Sequence, residues 1–404
     1  MESDVPAGQR VVSGMRPTGR LHLGHYHGVI KNWLKLQHSQ ECFFFVADWH
    51  ALTTHYSETD GLEDHVWEMV VDWLACGVSP GASTLFVQSQ VPEHAELHLL
   101  LSMFTPLSWL ERVPSYKEMQ EQTDRDLATY GFLGYPLLQA ADILMYKAQL
   151  VPVGEDQAAH VEFTREVARR FNHLYGQEEG FAKRAESLID RLGRNEARLY
   201  REYRRRFQEK GDSQALEVAR EMLRGQQSIS LGDLQRLDGY LEGEWRMILP
   251  EPAEYLTTAP KVPGVDGRKM SKSYNNTLGL REEPDAIQKK LMGMMTDPAR
   301  KRRSDPGDPE KCPVWDLHKI YSDPQTLEWV EEGCRSAGIG CTDCKRRLLD
   351  TMVAELDPIR ASAAEYLSDR AGVNALIHEG CEAARDVARD TLEDISEAMG
   401  LDYA

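Results

Sequence analysis

Three short apolar runs near the N-terminus set the limits of this fold. Arg10–Gly14 (RVVSG) reads as a strand, Glu41–Asp48 (ECFFFVAD) as a buried strand, and Ser83–Gln90 (STLFVQSQ) as a third. Between them lie stretches of helical character, Leu23–Leu36 and about Glu63–Cys76. The alternation continues with a helix over Leu137–Tyr146, a strand over Gln149–Val153 and a helix over Asp156–Tyr175. Strands that alternate with helices build parallel βαβ units, since a parallel neighbour requires a crossover. The predicted fold class is therefore α/β, a Rossmann-type doubly wound parallel sheet with ligands at its carboxyl edge.

The alternation stops between about Gly176 and Leu241, where Arg, Glu and Gln dominate. Leu199, Tyr203 and Phe207 recur four apart there, a narrow apolar stripe suited to a helical hairpin. Strand and loop character returns near Tyr255–Val262, and beyond Arg303 the chain reads as helices, including Thr326–Gly333, Cys344–Glu355 and Cys381–Met399. The predicted organisation is a catalytic domain from residues 1–175 and 242–300, a helical insertion over 176–241, and a mostly helical C-terminal domain over 301–404.

A formal charge of -18 argues against a general nucleic-acid binder, because attraction to phosphates needs cations. Local basic clusters remain at Arg201, Arg204, Arg205 and Arg206, at Arg300–Arg303, and at Lys345–Arg347, each compatible with a solvated helix face or an RNA contact. No stretch approaches the roughly 20 apolar residues that cross a bilayer. Met1–Arg10 is polar and lacks the apolar segment of a secretory signal, so a cytoplasmic location is expected.

Two segments carry chemistry. Gly14-Met15-Arg16-Pro17-Thr18-Gly19-Arg20-Leu21-His22-Leu23-Gly24-His25 follows the first strand and opens a helix. Such a turn offers backbone N–H groups to a nucleotide, and the imidazoles of His22 and His25 can donate to phosphate oxygens. Far downstream, Lys269-Met270-Ser271-Lys272-Ser273 follows the loop Pro263–Arg268. Two lysines three apart on a glycine-flanked loop suit a polyphosphate that moves during reaction. Either segment alone is compatible with an ordinary surface turn; the pair in this order is not.

His22-Leu23-Gly24-His25 resembles the HIGH element, and Lys269–Ser273 the KMSKS signature, of class I aminoacyl-tRNA synthetases. Val151-Pro152-Val153-Gly154-Glu155-Asp156-Gln157 is similar to the tryptophanyl enzymes of that class rather than the tyrosyl ones, which remain the alternative along with a non-catalytic paralogue. The resemblance implies activation of L-tryptophan with ATP and Mg2+, then transfer to tRNA(Trp), by a homodimer. It implies an ATP site at Arg16, Pro17, Thr18, Gly24, His25, Gly154, Glu155, Asp156, Val262, Lys269, Met270, Ser271, Lys272 and Ser273, with His22, His25, Lys269 and Lys272 catalytic. It places tryptophan at Asp142, Tyr135, Gln157 and His50, Asp142 accepting the indole N–H. Two departures stand out: Met119, within Lys117-Glu118-Met119, where many relatives carry a second lysine, and Arg16, in place of an uncharged residue.

Cys312, Cys334, Cys341 and Cys344 crowd into one region with the spacing C-x21-C-x6-C-x2-C. In a reducing compartment four gathered thiolates suit tetrahedral zinc or an iron–sulfur cluster, and spacing does not choose between them. A subset of tryptophanyl enzymes is similar here and carries a [4Fe–4S] cluster in the anticodon-binding region, which makes that cluster the expectation and zinc the alternative.

Overall fold

A computed structural model describes residues 7–113, 129–154, 157–178, 180–226, 229–243, 245–256, 261–401 and 403. It divides into two compact units interleaved along the chain, the first Met1–Val91, Pro152–Asp156 and Tyr255–Ala384, the second Pro92–Val151, Gln157–Glu254 and Arg385–Ala404.

The sheet comprises β1 (Arg10–Met15), β2 (Glu41–Val46), β3 (Ser83–Val87), β4 (Leu150–Val153) and β5 (Ala253–Leu256) in the order β3-β2-β1-β4-β5. β1 pairs parallel with β2, and β2 with β3. β2 is buried from Cys42 to Val46, which explains why its sequence is a continuous apolar run rather than an alternating one. Trp33 stacks on Phe44 at 4.2 Å with an interplanar angle of 4°, and meets Trp73 edge-on at 5.0 Å. The chain runs β1 to β3 in one direction and then returns to β4 on the far side of β1. The carboxyl ends of β1 and β4 therefore flank a topological switch point, where doubly wound sheets bind ligands.

The expected helix Leu23–Leu36 is present in three continuous parts: α-helical Leu23–His25, a π-helical turn Tyr26–Ile30, and α-helical Lys31–Leu36. The strand expected over Ser83–Gln90 ends at Val87 in a 3-10 turn. The helix expected from Leu137 begins at Tyr130, because the Thr129 hydroxyl accepts the Phe132 N–H and offsets the breakers Gly131, Gly134 and Pro136. The helices expected over Cys344–Glu355 and Cys381–Met399 extend to Cys341–Ser368 and Arg370–Met399.

The insertion corrects the hairpin expectation. Among its described residues it forms four helices, Phe181–Arg191, Arg194–Lys210, Ser213–Arg224 and Leu231–Glu242. They close their own core around Phe181, Ile189, Tyr200, Leu223 and Leu237, with Tyr203 and Phe207 packed at its margin. Gly239 is required here: a Cβ would stand 1.6 Å from the Trp245 carbonyl oxygen. The arginines of the insertion serve this unit. Arg204 stacks 3.8 Å over Tyr240, Arg206 pairs with Asp212 at 2.6 Å, and Arg201 bridges Glu186 and Asp190.

Candidate active site

In the first unit, β1 runs into the turn Arg16–Leu21, and His22 caps the helix that follows. His22 Nδ1 accepts the Gly24 N–H at 3.1 Å, while His25 Nδ1 accepts the His22 N–H at 3.2 Å. The two imidazoles form a reciprocal capping box, with ring centroids 3.8 Å apart. Burial, with Lys272 adding to it, holds His22 down to about 4; burial, His22 and Lys272 hold His25 down to about 3. Both rings are therefore neutral at pH 7. Because each spends Nδ1 as an acceptor, the proton sits on Nε2, and each ring presents an N–H donor there. Gly24 has no room for a side chain, since a Cβ would stand 2.8 Å from the His22 ring.

The lysine loop reaches this turn through the backbone. Leu23 N–H donates to Leu278 at 3.0 Å, Leu280 N–H donates to Leu21 at 3.1 Å, and His22 and Gly279 form an antiparallel bridge. Within the loop, Met270 N–H donates to the buried Val262, and Ser271 N–H to Asn276 Oδ1 at 2.8 Å. Lys272 Nζ donates to the Thr18 carbonyl at 2.8 Å and approaches its hydroxyl at 3.3 Å. Burial lowers the Lys272 ammonium to about 8 although Asp72 and Glu68 favour its charge. Arg16, Thr18, Lys269 and Ser273 are exposed beside the buried Pro17 and Met270. Gly154 follows β4 directly, whereas Glu155, Asp156 and Lys117–Met119 lie outside the described residues.

Sequence reasoning missed the brace beneath the turn. Asp72 Oδ2 accepts the Leu21 N–H at 2.7 Å, and Asp72 Oδ1 pairs with Arg281 Nε at 2.6 Å. Arg281 also approaches Glu68 at 3.4 Å, and Glu68 holds Arg20 at 2.8 Å. Burial lifts Asp72 to about 6 against the pull of Arg281. The signal was an acid inside the apolar stripe Val70-Val71-Asp72-Trp73-Leu74, where an unpaired carboxylate would be costly.

Of the residues expected to hold the amino acid, His50 lies buried on the helix Asp48–His55 of the first unit, while Tyr135, Asp142 and Gln157 belong to the second. Tyr135, Gln139 and Asp142 share one face of the helix Tyr130–Met145. His160 Nδ1 meets Gln139 Oε1 at 2.7 Å, and its Nε2 meets the Tyr135 hydroxyl at 3.3 Å. His94 Nδ1 meets Asp142 Oδ1 at 2.6 Å, and its Nε2 meets the Tyr146 hydroxyl at 2.7 Å. Both histidines escaped notice in the sequence because they stand alone on helices without a motif.

Cys312 precedes the helix Pro313–Tyr321, Cys334 lies in the last turn of Pro324–Arg335, and Cys341 and Cys344 open Cys341–Ser368. Burial raises the Cys312 and Cys334 thiols and pushes Cys344 up to about 12, with other members of the set adding to each. Cys344 Sγ also meets His318 Nε2 at 3.2 Å. The four thiols act on one another electrostatically, yet among the described residues no group of three or more His, Cys, Asp or Glu is placed so that it could hold a metal ion. The neighbouring cations correct an expectation: Lys345 is buried, bonded to the Met292 and Met294 carbonyls, and Arg300 is bonded to the Ile339 carbonyl at 2.6 Å. Lys345 is thus not a surface group, while Arg300 is half-buried and engaged by backbone carbonyls.

Among the described residues no helix is long and apolar enough to cross a membrane. A model of the family "tRNA synthetases class I (W and Y)" matches residues 7–192 and 213–357. The chain is 59% identical over 98% of its length to the tryptophan–tRNA ligase of Ralstonia nicotianae, covering 99% of that protein. It is 44% identical to the corresponding ligase of Thermotoga maritima, covering 97% of this chain and 99% of that one. Among solved structures, the tryptophanyl-tRNA synthetase of Campylobacter jejuni, complexed with ADP and tryptophan, superposes with a TM-score of 0.73 at 26% identity, covering 97% and 99% of the two chains. The two histidine-capped and lysine-bearing loops thus sit in a chain whose named relatives select the tryptophan branch over the tyrosine one, and the chain belongs to the class I tryptophan–tRNA ligases.

Proposed function

We propose that the chain's ligase reaction, activation of L-tryptophan with ATP followed by transfer to tRNA(Trp), is carried by the two signature loops of the first unit. The single observation that carries this reading is that the turn bearing His22 and His25 and the loop bearing Lys272 are joined by backbone pairing, and that Lys272 reaches Thr18 on that same turn. The tryptophan carboxylate attacks the α-phosphate and pyrophosphate leaves. The nucleophile is already charged, so no general base is needed. His22 and His25 donate through Nε2, and Lys269 and Lys272 offset charge building on the leaving phosphates. Mg2+ bound with ATP supplies further charge neutralisation.

Arg16, Pro17, Thr18, Gly24, Gly154, Glu155, Asp156, Val262, Met270, Ser271 and Ser273 line the nucleotide in this reading. Arg16 supplies positive charge where relatives carry a lysine in place of Met119. Asp142 accepts the indole N–H, the one polar group of that side chain, while Tyr135, Gln157 and His50 contact the rest of the amino acid. The enzyme works in the cytoplasm as a homodimer, and residues 301–404 contact the anticodon region of the tRNA.

The four cysteines hold a [4Fe–4S] cluster, with zinc the alternative. Support comes from the donor chemistry: Cys312, Cys334, Cys341 and Cys344 would hold the group as thiolate ligands, with Arg300 beside Cys334. Protein purified without oxygen is then brown, absorbs broadly near roughly 400 nm and contains about four irons per chain; colourless protein with one zinc replaces the cluster by zinc. ATP–pyrophosphate exchange with each standard amino acid supplied separately tests the main reading. Exchange that depends on tryptophan alone supports it, and exchange with tyrosine would move Asp142 to a phenol-reading role.

A further inference from the structure

The buried polar chain behind Asp142 has no part in the chemistry described so far. His94, on the helix Glu93–Ser102, is fully buried, as is Tyr146, and Asp142 is 1% exposed. Sealing a carboxylate this deeply is costly unless its oxygens are engaged. Asp142 Oδ1 lies 2.6 Å from His94 Nδ1, a separation typical of a charge-assisted bond. An ionised carboxylate only accepts, so the proton of that bond belongs to Nδ1, and in the neutral ring Nε2 accepts from the Tyr146 hydroxyl at 2.7 Å. The bond to Asp142 is the same whether the ring is neutral or protonated.

The terminal torsion of an aspartate is broad, and a bond on one carboxylate oxygen narrows it. Anchoring Oδ1 fixes the carboxylate plane and with it the direction in which Oδ2 presents its lone pairs. We infer that His94 is a positioning residue that sets the angle at which Asp142 meets the indole N–H, and thereby determines the preference for a ring bearing that N–H over an isosteric ring lacking it. The inference rests on the reading that Asp142 receives the indole N–H. Tyr146 completes the device from the far side of the imidazole.

The test compares kcat/KM in ATP–pyrophosphate exchange for L-tryptophan and for the benzothiophene analogue, in which sulfur replaces the indole N–H. Their ratio does not depend on how much of a variant is folded. A site built around a polar group rejects an analogue lacking it strongly. His94→Ala should therefore lower the preference roughly 10- to 100-fold, mainly by loss on tryptophan. His94→Asn, whose amide N–H stands near the Nδ1 position, should restore most of the preference, whereas His94→Gln should not. Tyr146→Phe, which removes only the hydroxyl, should give an intermediate loss. If His94→Ala does not fold, the Asn and Gln variants make the same comparison. An equal fall for both substrates, or equal ratios for Asn and Gln, overturns the role of His94. An Asp142→Ala ratio unchanged from the parent overturns the Asp142 reading itself; an Asp142→Ala ratio that collapses while that of His94→Ala stays high overturns His94 alone.

Discussion

The signature loops of the first unit and the helices of the second use the same residue types in opposite senses. His22 and His25 accept backbone N–H groups on Nδ1 and so carry the proton on Nε2; His94 and His160 meet side-chain oxygens through Nδ1, which leaves Nε2 to accept from tyrosine hydroxyls. The cations differ likewise. Lys272 is hydrogen-bonded to the neutral oxygens of Thr18, whereas Arg220 in the insertion is enclosed by Asp238, Glu217 and Glu242. What sits on one nitrogen decides what the other can do, and a cation whose hydrogen bonds go to neutral oxygens can exchange them for phosphate more readily than one held by carboxylates.

The largest effect should come from Lys272. Lys272→Ala should slow adenylate formation by about 10²- to 10³-fold while leaving tryptophan affinity nearly unchanged, as measured by rapid-quench rates and equilibrium binding. An unchanged rate would remove the lysine from the chemistry. Next is Arg220, whose side chain is 18% exposed. Arg220→Ala strands the partly buried Asp238 and Glu242 and should cost about 3 kcal/mol in urea denaturation. Its exchange rate per folded molecule should stay near that of the parent. If exchange fell and stability did not, the insertion would not be a self-contained unit.

The histidine contrast is tested at His25 with two amides. Asn keeps an acceptor where Nδ1 stood and Gln keeps a donor where Nε2 stood. His25→Asn should preserve the helix cap yet lower exchange about 10²-fold, while His25→Gln should stay within about tenfold of the parent and lose roughly 1 kcal/mol of stability. The reverse order would mean that the tautomer is inverted.

Smaller effects follow from pH. Lys272 is lowered to about 8, so kcat/KM for ATP should fall above that pH, and Lys272→Arg should remove the limb. His22 and His25 are depressed to about 4 and about 3 from 6.5. Their unfolded forms bind protons that the folded forms do not, so their contribution is fully present above 6.5 and is lost as pH falls toward the folded values. Urea midpoints measured from pH 7 down to 4 should decline, and less steeply in a variant lacking both rings.

Much of the α/β alternation was legible because β2 and β1 are buried on both faces and their composition records it. The signature loops were legible as motifs. What stayed hidden depends on partners distant in sequence. Asp72 looks like a misplaced acid until Arg281, more than two hundred residues away, is beside it. The arginine run 201–206 looks like a surface for RNA until Tyr240, Asp212 and Glu186 are seen to engage most of it. Helix starts are illegible in the sequence where a side-chain cap such as Thr129 overrides the glycines and proline that follow.

The tether around the lysine loop also bears on entropy. Residues 271–277 form an arch closed at one end by Met270 on Val262 and at the other by Leu278 on Leu23. Closing so short an arch restricts the chain during folding, before any nucleotide arrives. Lys272 therefore searches only the volume swept by its own side chain. Moving its ammonium from Thr18 to a phosphate exchanges hydrogen bonds to neutral oxygens for bonds to an anion, with a side-chain entropy cost of up to about 2 kcal/mol. In effect the cation is present at a high local concentration before ATP binds, which turns an encounter between a charge and a leaving group into a rotation.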